Sequence, residues 1–212
     1  MAKPAGSNKE NFERTRAHLL AVATACFARH GFHGASTNMV VREARSSRGS
    51  LYHHFPDKQA MFKAVYDSLC KQLADRIATY PYEGVDPLED LIAGCLAYLR
   101  VFTDQAFARI MLMDGPLVLG IEYCRSWDME TAYKALHEGV IDILGPGEQA
   151  PVVTDYLSGA LDTYALRIAT AEDRDHAYHL YAPAFADLTK RLFTLPAHGR
   201  DQEIASMVDL RS

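Results

Sequence analysis

The sequence predicts an all-α fold of about nine helices, and three observations lead to that prediction. Apolar residues recur three and four positions apart along most of the 212 residues, which is the period of a helix with one buried face. The period-two alternation of half-buried strands is absent from the sequence. Hydrophobic residues make up 49% of the chain, enough for one or two cores. We expect an N-terminal three-helix head and a C-terminal helical body.

The first two helices are predicted from an apolar face and a cap. Helix one is expected from about Asn11 to His30, and Gly31 should end it, because glycine is common just past a helix terminus. Thr37 is a candidate cap for a short second helix, since a threonine oxygen can accept from an otherwise free backbone amide. The head should therefore begin with a long helix followed by a short one.

A tight break and a second short helix follow. Arg45 and Ser46 interrupt helix two, and Ser47 can cap helix three, predicted from Arg48 to His53. Two short helices joined in this way are typical of a helix-turn-helix, whose second helix enters the DNA major groove. Arg45 lies where the turn often needs a positive φ, which a residue other than glycine adopts with strain. A head with weak sequence specificity is therefore a second interpretation.

The side chains of helix three suit contact with DNA. Arg48 can reach guanine or phosphate, Gly49 allows the backbone to approach closely, and Ser50 is small and polar. Three further residues can donate hydrogen bonds to phosphate oxygens: Tyr52, His53 and His54.

Helix four is predicted from an Asp57 cap to about Tyr80, with Lys58 in its first turn. A cation there is unfavourable by a few tenths of a kcal/mol, roughly, because the helix N-terminus is already positive. Lys58 is explained if that end faces an anion such as a DNA phosphate. A tolerated surface lysine is the alternative.

The segment RGSLYHHFPDK resembles the signature of TetR-family transcriptional repressors, as do Gly31-Phe32 and Ala35-Ser36-Thr37 before it. The resemblance covers about Arg14 to Tyr66 in detail and the rest only in helical layout. It implies a homodimeric DNA-binding repressor controlled by a small, mainly apolar ligand. It also implies that DNA is contacted by Thr37, Asn38, Ser47, Arg48, Gly49, Ser50, Tyr52, His53, His54 and Lys58.

The distribution of charge agrees with binding to DNA. The whole chain has a formal net charge of −5. Residues 1–65, however, hold ten basic and four acidic residues, whereas the remainder holds 12 basic and 23 acidic residues. A head of +6 on a body of −11 fits a cationic DNA-facing module on an anionic regulatory body, although chance clustering on solvated faces would give the same counts.

Five more helices are predicted after a break at Tyr80–Gly84, and their approximate bounds are Pro87–Thr103, Phe107–Met113, Ser126–Leu144, Pro151–Ala169 and Arg174–Phe193. Asp114-Gly115-Pro116 should stop the second of these. The domain prediction is a flexible N-terminus at 1–10, the head at 11–57, the ligand-binding and dimerisation domain at 58–195, and a tail at 196–212.

Two surfaces are predicted in the body. A ligand pocket is expected among Leu99, Phe102, Phe107, Met111, Trp127, Tyr133, His137 and Tyr164, each of which could equally be plain core. A dimer seam on the last two helices is expected at Leu157, Leu161, Ile168, Tyr178, Tyr181, Phe185, Leu188 and Leu192. The alternative is that this seam faces the chain's own core.

Other classes of protein are less well supported. Ser68 and Lys71 match the S-x-x-K spacing of some serine hydrolases but lack the partner motifs, so we predict no enzyme. His30 with His33 and His176 with His179 have spacings that can share a metal, but surface histidines explain them and no metal or cofactor is predicted. Four separated cysteines indicate reduced thiols, and no apolar run approaches a membrane span. A cytoplasmic location is expected.

Overall fold

The computed structural model describes residues 8–79 and 86–194, which are almost entirely helical. The N-terminal part contains α1 Asn8–Gly34, α2 Thr37–Glu43, α3 Arg48–His54 and α4 Lys58–Ala78. The body contains α5 Pro87–Val101, a π-helical segment Phe107–Asp114, α6 Gly115–Leu119, α7 Ile121–Glu130, α8 Ala132–Leu144, α9 Gln149–Thr170 and α10 Arg174–Thr194.

The all-α prediction is confirmed, and no residue in the described ranges forms a strand. The π-helical segment continues directly into α6, and only Thr131 separates α7 from α8. Counted in this way, residues 8–79 and 86–194 form nine helical segments, the number predicted. The Tyr80–Gly84 break, most of the predicted N-terminal segment 1–10 and the tail 196–212 lie outside the described residues.

Three predicted boundaries are wrong. The α2 cap is Ser36, whose hydroxyl accepts from the backbone amide of Met39, and Thr37 is already the first helical residue. Asp114-Gly115-Pro116 does not stop the sixth helix, because Pro116 falls in the first turn of α6, where no backbone N–H is needed. The seventh helix begins at Ile121 and is interrupted at Thr131.

The head is organised around one buried cluster. Leu19 and Phe27 of α1, Val40 of α2 and Leu51 of α3 are fully buried together with Phe62 of α4. Burying a side chain of this size is worth about 1.5–3 kcal/mol. The cluster therefore fixes α2 and α3 on α1 and α4, which leaves the outer face of α3 unused by the core.

The head and the body are joined by hydrogen bonds as well as by α4. The backbone amide of Phe32 donates to Asp114 Oδ2 at 2.8 Å, and Gln105 Nε2 donates to the carbonyl of Ala28 at 3.1 Å. Gly31 kinks the end of α1 with φ 69° and ψ 174°, directly against the guanidinium of Arg109. These contacts connect the position of the π-helical segment to that of the end of α1.

The body consists of α5 packed against α4, α8, α9 and α10, with α8 and α10 on either side of α9. Leu99, Ile110, Leu157 and Ile168 are among its fully buried side chains. None of the helices in the described ranges is long and apolar enough to span a bilayer.

Candidate nucleic-acid interface and body cavity

The exposed face of α3 carries the polar residues that the sequence predicted for it. Ser47 caps the helix by accepting from the amide of Ser50 at 3.1 Å, and Leu51 anchors it in the core. Arg48, Gly49 and His53 are exposed, and Ser50 is half-buried. The Ser47 cap and the buried Leu51 side chain hold α3 in place. The exposed residues of α3 therefore do not take part in core packing and can contact another molecule.

Tyr52 joins the outer surfaces of α2 and α3. Its hydroxyl lies 3.4 Å from Thr37 Oγ1, and the two share a hydrogen bond. The Thr37 hydroxyl and then the Arg48 guanidinium lower the pKa of Tyr52. Asn38 is exposed beside Thr37, so the predicted residues of α2 and α3 form one continuous polar surface.

Two of the predicted phosphate ligands are partly buried. The ring of His54 packs 4.2 Å from that of Phe12, and its Nδ1 is buried without a hydrogen-bond partner among the described residues. Burial, followed by the charges of His53 and Arg16, lowers its pKa. Lys58 Nζ lies 4.5 Å from the centre of the Phe32 ring, and burial lowers its pKa. Both residues are therefore less exposed to solvent than Arg48.

The turn between α2 and α3 has the backbone that the sequence indicated. Arg45 has φ 49°, the one positive φ of a residue other than glycine in the described ranges. The turn is nevertheless well bonded, because Ser46 N donates to the carbonyl of Val41 at 3.0 Å and His18 Nε2 lies 3.1 Å from the carbonyl of Ala44. An ion pair between Arg29 and Glu43 adds a link from α1 to α2.

The body contains two adjoining cavities, of about 550 and 870 Å³. They share a wall formed by α5, α7, α8 and α9, which contains Tyr98, Asp128, Thr131, Tyr133, Ser158 and Asp162. Volumes of this size accommodate drug-sized molecules.

Half of the predicted pocket residues lie on these walls. Phe102, Met111, Trp127 and Tyr133 line the smaller cavity. Leu99 and Phe107 are instead buried in the core, and Tyr164 packs on Tyr181 with ring centres 5.0 Å apart. His137 Nδ1 hydrogen-bonds Thr154 Oγ1 at 2.9 Å. These four residues are not part of either wall.

The sequence reasoning missed the polar part of the wall. Asp128 is half-buried, and desolvation, followed by the charge of Asp162, raises its pKa to about 6. Desolvation also raises the pKa of Asp162. The one signal in the sequence was an acidic residue beside an apolar residue that is buried, such as Asp162 after Leu161. The same pattern occurs on solvated helix faces, so it does not identify a cavity wall.

A polar network connects α4 to the helix that lines the smaller cavity. Asp67 of α4 accepts from the Tyr123 hydroxyl and, at 3.1 Å, from Trp127 Nε1 of α7. Lys63 Nζ donates to Asp67 Oδ2 at 3.1 Å and to the Tyr123 hydroxyl at 2.6 Å. These hydrogen bonds therefore tie the position of α7 to that of α4.

The predicted dimer seam is directed largely into the monomer. Leu157, Leu161, Ile168 and Phe185 are buried in the chain's own core and are not available to a partner. Tyr178, Tyr181 and Leu192 are half-buried, and Leu188 is exposed. Both helices carry a second apolar face, and the exposed large side chains on it are Val152, Tyr156, Leu166, Leu180 and Leu188.

Two other sequence ideas gain no support from the described residues. No group of three or more His, Cys, Asp or Glu side chains there is arranged to hold a metal ion. Ser68 and Lys71 lie along α4, and the Ser68 hydroxyl accepts from Gln72 Nε2 at 3.4 Å. All four cysteines are free thiols, and Cys26, Cys70 and Cys95 are buried.

Comparison with known proteins gives two family matches. Residues 19–65 match the model described as bacterial regulatory proteins, tetR family, and residues 88–192 match the model described as tetracyclin repressor-like, C-terminal domain. The first match covers α2, α3 and most of α1, and the second covers most of the body.

Relatives and solved structures agree with these matches. The HTH-type transcriptional repressor AcnR of Corynebacterium diphtheriae is 27% identical over 82% of this chain and 90% of its own length. The HTH-type transcriptional repressor Rv1474c of Mycobacterium tuberculosis is 27% identical over 78% and 88%. A TetR-family regulator structure from Pectobacterium atrosepticum is 26% identical, with a TM-score of 0.71, covering 89% of this chain and 99% of that one. These proteins are DNA-binding regulators and not enzymes. The chain therefore belongs to the TetR family of transcriptional regulators.

Proposed function

We propose that this protein represses transcription as a cytoplasmic homodimer that binds a palindromic operator through α3 and is released by a small molecule in the body cavity. The observation that carries the DNA part is the outer face of α3. Arg48, Gly49 and His53 are exposed there, while Leu51 and the Ser47 cap hold the helix in place. Arg48 is suited to bidentate contact with guanine or to a phosphate.

The proposed domain boundaries follow from the separation of DNA binding and ligand binding. The DNA-binding head comprises residues 11–57, and the ligand-binding and dimerisation domain comprises residues 58–195. Within the head, Thr37, Asn38, Ser47, Ser50 and Tyr52 would position the protein on the sugar-phosphate backbone, because side-chain hydroxyls and amides commonly bond phosphate oxygens. His54 and Lys58 would contribute through the edges of their partly buried side chains.

Dimerisation is supported by the second apolar face of α9 and α10. Val152, Tyr156 and Leu166 recur on one side of α9, and Leu180 and Leu188 lie on α10 with 61% and 54% of their surface exposed. Contiguous exposed apolar side chains on paired helices are typical of a protein interface, and two such pairs can form a four-helix bundle. Two α3 helices must lie about 34 Å apart to reach successive major grooves.

Ligand control is supported by the position of α4 and the π-helical segment. Asp67 of α4 is bonded to α7, which lines the cavity, and Asp114 is bonded to Phe32 at the end of α1. A ligand that displaces either element would tilt the head and change the spacing of the two α3 helices. It can shift the equilibrium only by its difference in affinity for the two arrangements.

The test is a gel shift and footprint with the DNA upstream of the protein's own gene. Arg48→Ala should weaken specific binding by about tenfold or more, which corresponds to the 1–3 kcal/mol of one good base contact. Lys71→Ala, which removes an exposed charge from α4, is the matched control and should leave binding nearly unchanged. No sequence-dependent protection at low salt would contradict the proposal.

The second candidate is a dimeric ligand-binding protein whose helix-turn-helix has weak sequence specificity. The left-handed Arg45 in the turn is the observation that favours it. Binding to specific and nonspecific DNA across a range of salt concentrations separates the two functions. A repressor should keep a specificity ratio of about 10³ or more at physiological salt, whereas the alternative predicts a ratio near one.

A further inference from the structure

The wall between the two cavities contains a buried tyrosine whose hydroxyl forms no hydrogen bond with the described residues. Tyr98 of α5 is 8% exposed and lines both cavities. Its ring packs on Phe102 at 5.1 Å, but no side chain or backbone group of the described residues hydrogen-bonds its hydroxyl. The hydroxyl oxygen is not among the fully buried unpaired side-chain atoms of the described residues, which are His54 Nδ1 and Arg109 Nε, so it reaches the space of the cavities. A hydroxyl that reaches a cavity and has no protein partner can donate to a ligand or accept from it.

The walls are also strongly anionic. The larger cavity is lined by Asp90, Asp128, Glu130, Glu138, Asp142 and Asp162, and no basic side chain of the described residues lines it. The smaller cavity adds Asp155 and a single cation, Arg125. Carboxylates therefore outnumber basic groups around both volumes.

Some of these carboxylates already have partners among the described residues. Asp155 accepts from the Tyr133 hydroxyl at 2.7 Å, and Glu138 lies 3.8 Å from Lys134 Nζ. Asp128 and Asp162, which belong to both walls, form no ion pair with any basic side chain in the described ranges. The charges of both aspartates raise the pKa of Tyr98, so the three groups lie close together.

The rest of the smaller cavity is aromatic and apolar. Tyr66, Phe102, Trp127 and Met111 line it, and Phe102 is fully buried beneath the surface. Aromatic faces attract cations as well as apolar groups. The wall therefore combines an apolar surface with a local excess of negative charge.

We infer that the effector is an organic cation, in which a protonated amine lies between Asp128 and Asp162 and donates to the Tyr98 hydroxyl while an apolar body fills the aromatic part of the cavity. This inference rests on the proposed use of the cavity as the effector site. A cation would neutralise two like charges that repel each other in a partly desolvated place. A carboxylate or phosphate ligand would add a third negative charge there and is disfavoured.

The test compares three molecules that share a phenylalkyl part and differ in the charge of the end group: phenylbutylamine, phenylbutanol and phenylbutyrate. Isothermal titration calorimetry at neutral pH should give the amine about tenfold or more tighter binding than the alcohol, with the carboxylate weakest. The amine should also release the protein from its operator DNA in a gel shift, which links the cavity to DNA binding.

Substitutions test whether Asp128, Asp162 and Tyr98 cause the preference for the amine. Asp128→Asn and Asp162→Asn should each reduce the affinity for the amine several-fold and leave that for the alcohol within about twofold. Tyr98→Phe should weaken the amine without changing the fold. Glu172→Gln, which removes an exposed carboxylate outside both cavities, is the matched control and should bind all three compounds like the wild type.

The possible results separate the inference from the proposed function. Equal binding of the three compounds, or preference for phenylbutyrate, would overturn the cationic effector and leave a ligand-controlled repressor standing. Absence of binding by all three at about 5 mM, a concentration that detects weak ligands of this size, would overturn both the inference and the use of the cavity. Operator binding by the unliganded protein tests the repressor function separately.

Discussion

The negative charge of Asp128 lowers the stability of the folded protein. Its pKa in the folded protein is about 6, raised first by desolvation and then by Asp162 of α9, while Arg125 lowers it. The charge of Asp128 in turn raises the pKa of Tyr98 of α5, Cys70 of α4 and Tyr133 of α8. Because the folded state binds the proton more tightly than the unfolded state does, ionising Asp128 destabilises the fold. That cost is present above pH 6 and disappears as the pH falls toward the ordinary value of an aspartate.

Asp128→Asn should therefore stabilise the protein at pH 7.5 by about 1 kcal/mol, after allowance for solvent screening. The gain should shrink toward zero near pH 3, where Asp128 is mostly protonated in both states. Urea unfolding at several pH values measures this, with Glu172→Gln as the control that shows no gain. Equal stability of Asp128→Asn and wild type at pH 7.5 would contradict the account. A variant that is more stable yet binds the amine less well cannot owe its weaker binding to unfolding.

Arg45 carries backbone strain that a single substitution can relieve. A residue with a Cβ in the left-handed region is less favourable than glycine by about 1 kcal/mol. Arg45→Gly should stabilise the head by about this amount in thermal unfolding. Arg42→Gly, a change of the same kind inside α2, should instead destabilise by about 1 kcal/mol, because there the backbone is right-handed. A loss of stability in Arg45→Gly would show that the arginine side chain has a structural role.

At the scale of the element, the helices with strong caps were predictable. Ser47 and Asp57 mark the starts of α3 and α4, since each can accept from an amide three residues later. The π-helical segment was not predictable, because i+5 bonding leaves no simple mark in the sequence and lets the chain pass Pro116 without stopping. Which face of α9 the chain buries was not predictable either. That helix carries apolar residues on two faces, and spacing alone does not say which of them the chain buries.

The network between α4 and α7 makes a prediction at the same scale. Asp67→Ala removes the acceptor for the Tyr123 hydroxyl, Trp127 Nε1 and Lys63 Nζ, so each of these three donors loses one hydrogen bond. The variant should lose about 1–2 kcal/mol of stability and shift the emission of Trp127, the single tryptophan.

Asp75→Ala is the control for that change, because Asp75 is exposed on the same helix. It should cost less than about 0.5 kcal/mol and leave the tryptophan emission unaltered. If Asp67→Ala behaved like Asp75→Ala, the network would not be what couples α7 to α4.

At the scale of the whole molecule, the division into a basic head and an acidic body was readable from the sequence. The excess of positive charge lies in residues 1–65, and seven of the 23 acidic residues that follow line the cavity walls. The sequence could not indicate which acids face a cavity. Asp128 lines both cavities, whereas Glu122 is exposed on the same helix and lines neither, yet each has apolar or aromatic neighbours on both sides in the sequence. That distinction depends on how α5, α7, α8 and α9 pack together.

Assembly is the second property at this scale. Tyr156→Glu and Leu180→Glu place a charge on the exposed face of α9 and α10 and should convert the dimer to monomer in analytical ultracentrifugation, since a buried unpaired charge is strongly unfavourable. Leu117→Glu, on a leucine of α6 that is 84% exposed, should leave the dimer intact. An unchanged mass for the first two variants would exclude this face as the interface.

Selection of bound sequences from a random library of duplex DNA tests the central claim most directly, because it requires both the exposed α3 surface and its duplication by a partner. The account predicts enrichment of a palindrome whose half-sites are centred about one helical turn, or a whole number of turns, apart, and loss of that enrichment in Arg48→Ala. Recovery of no motif, or of a single isolated half-site, would contradict it.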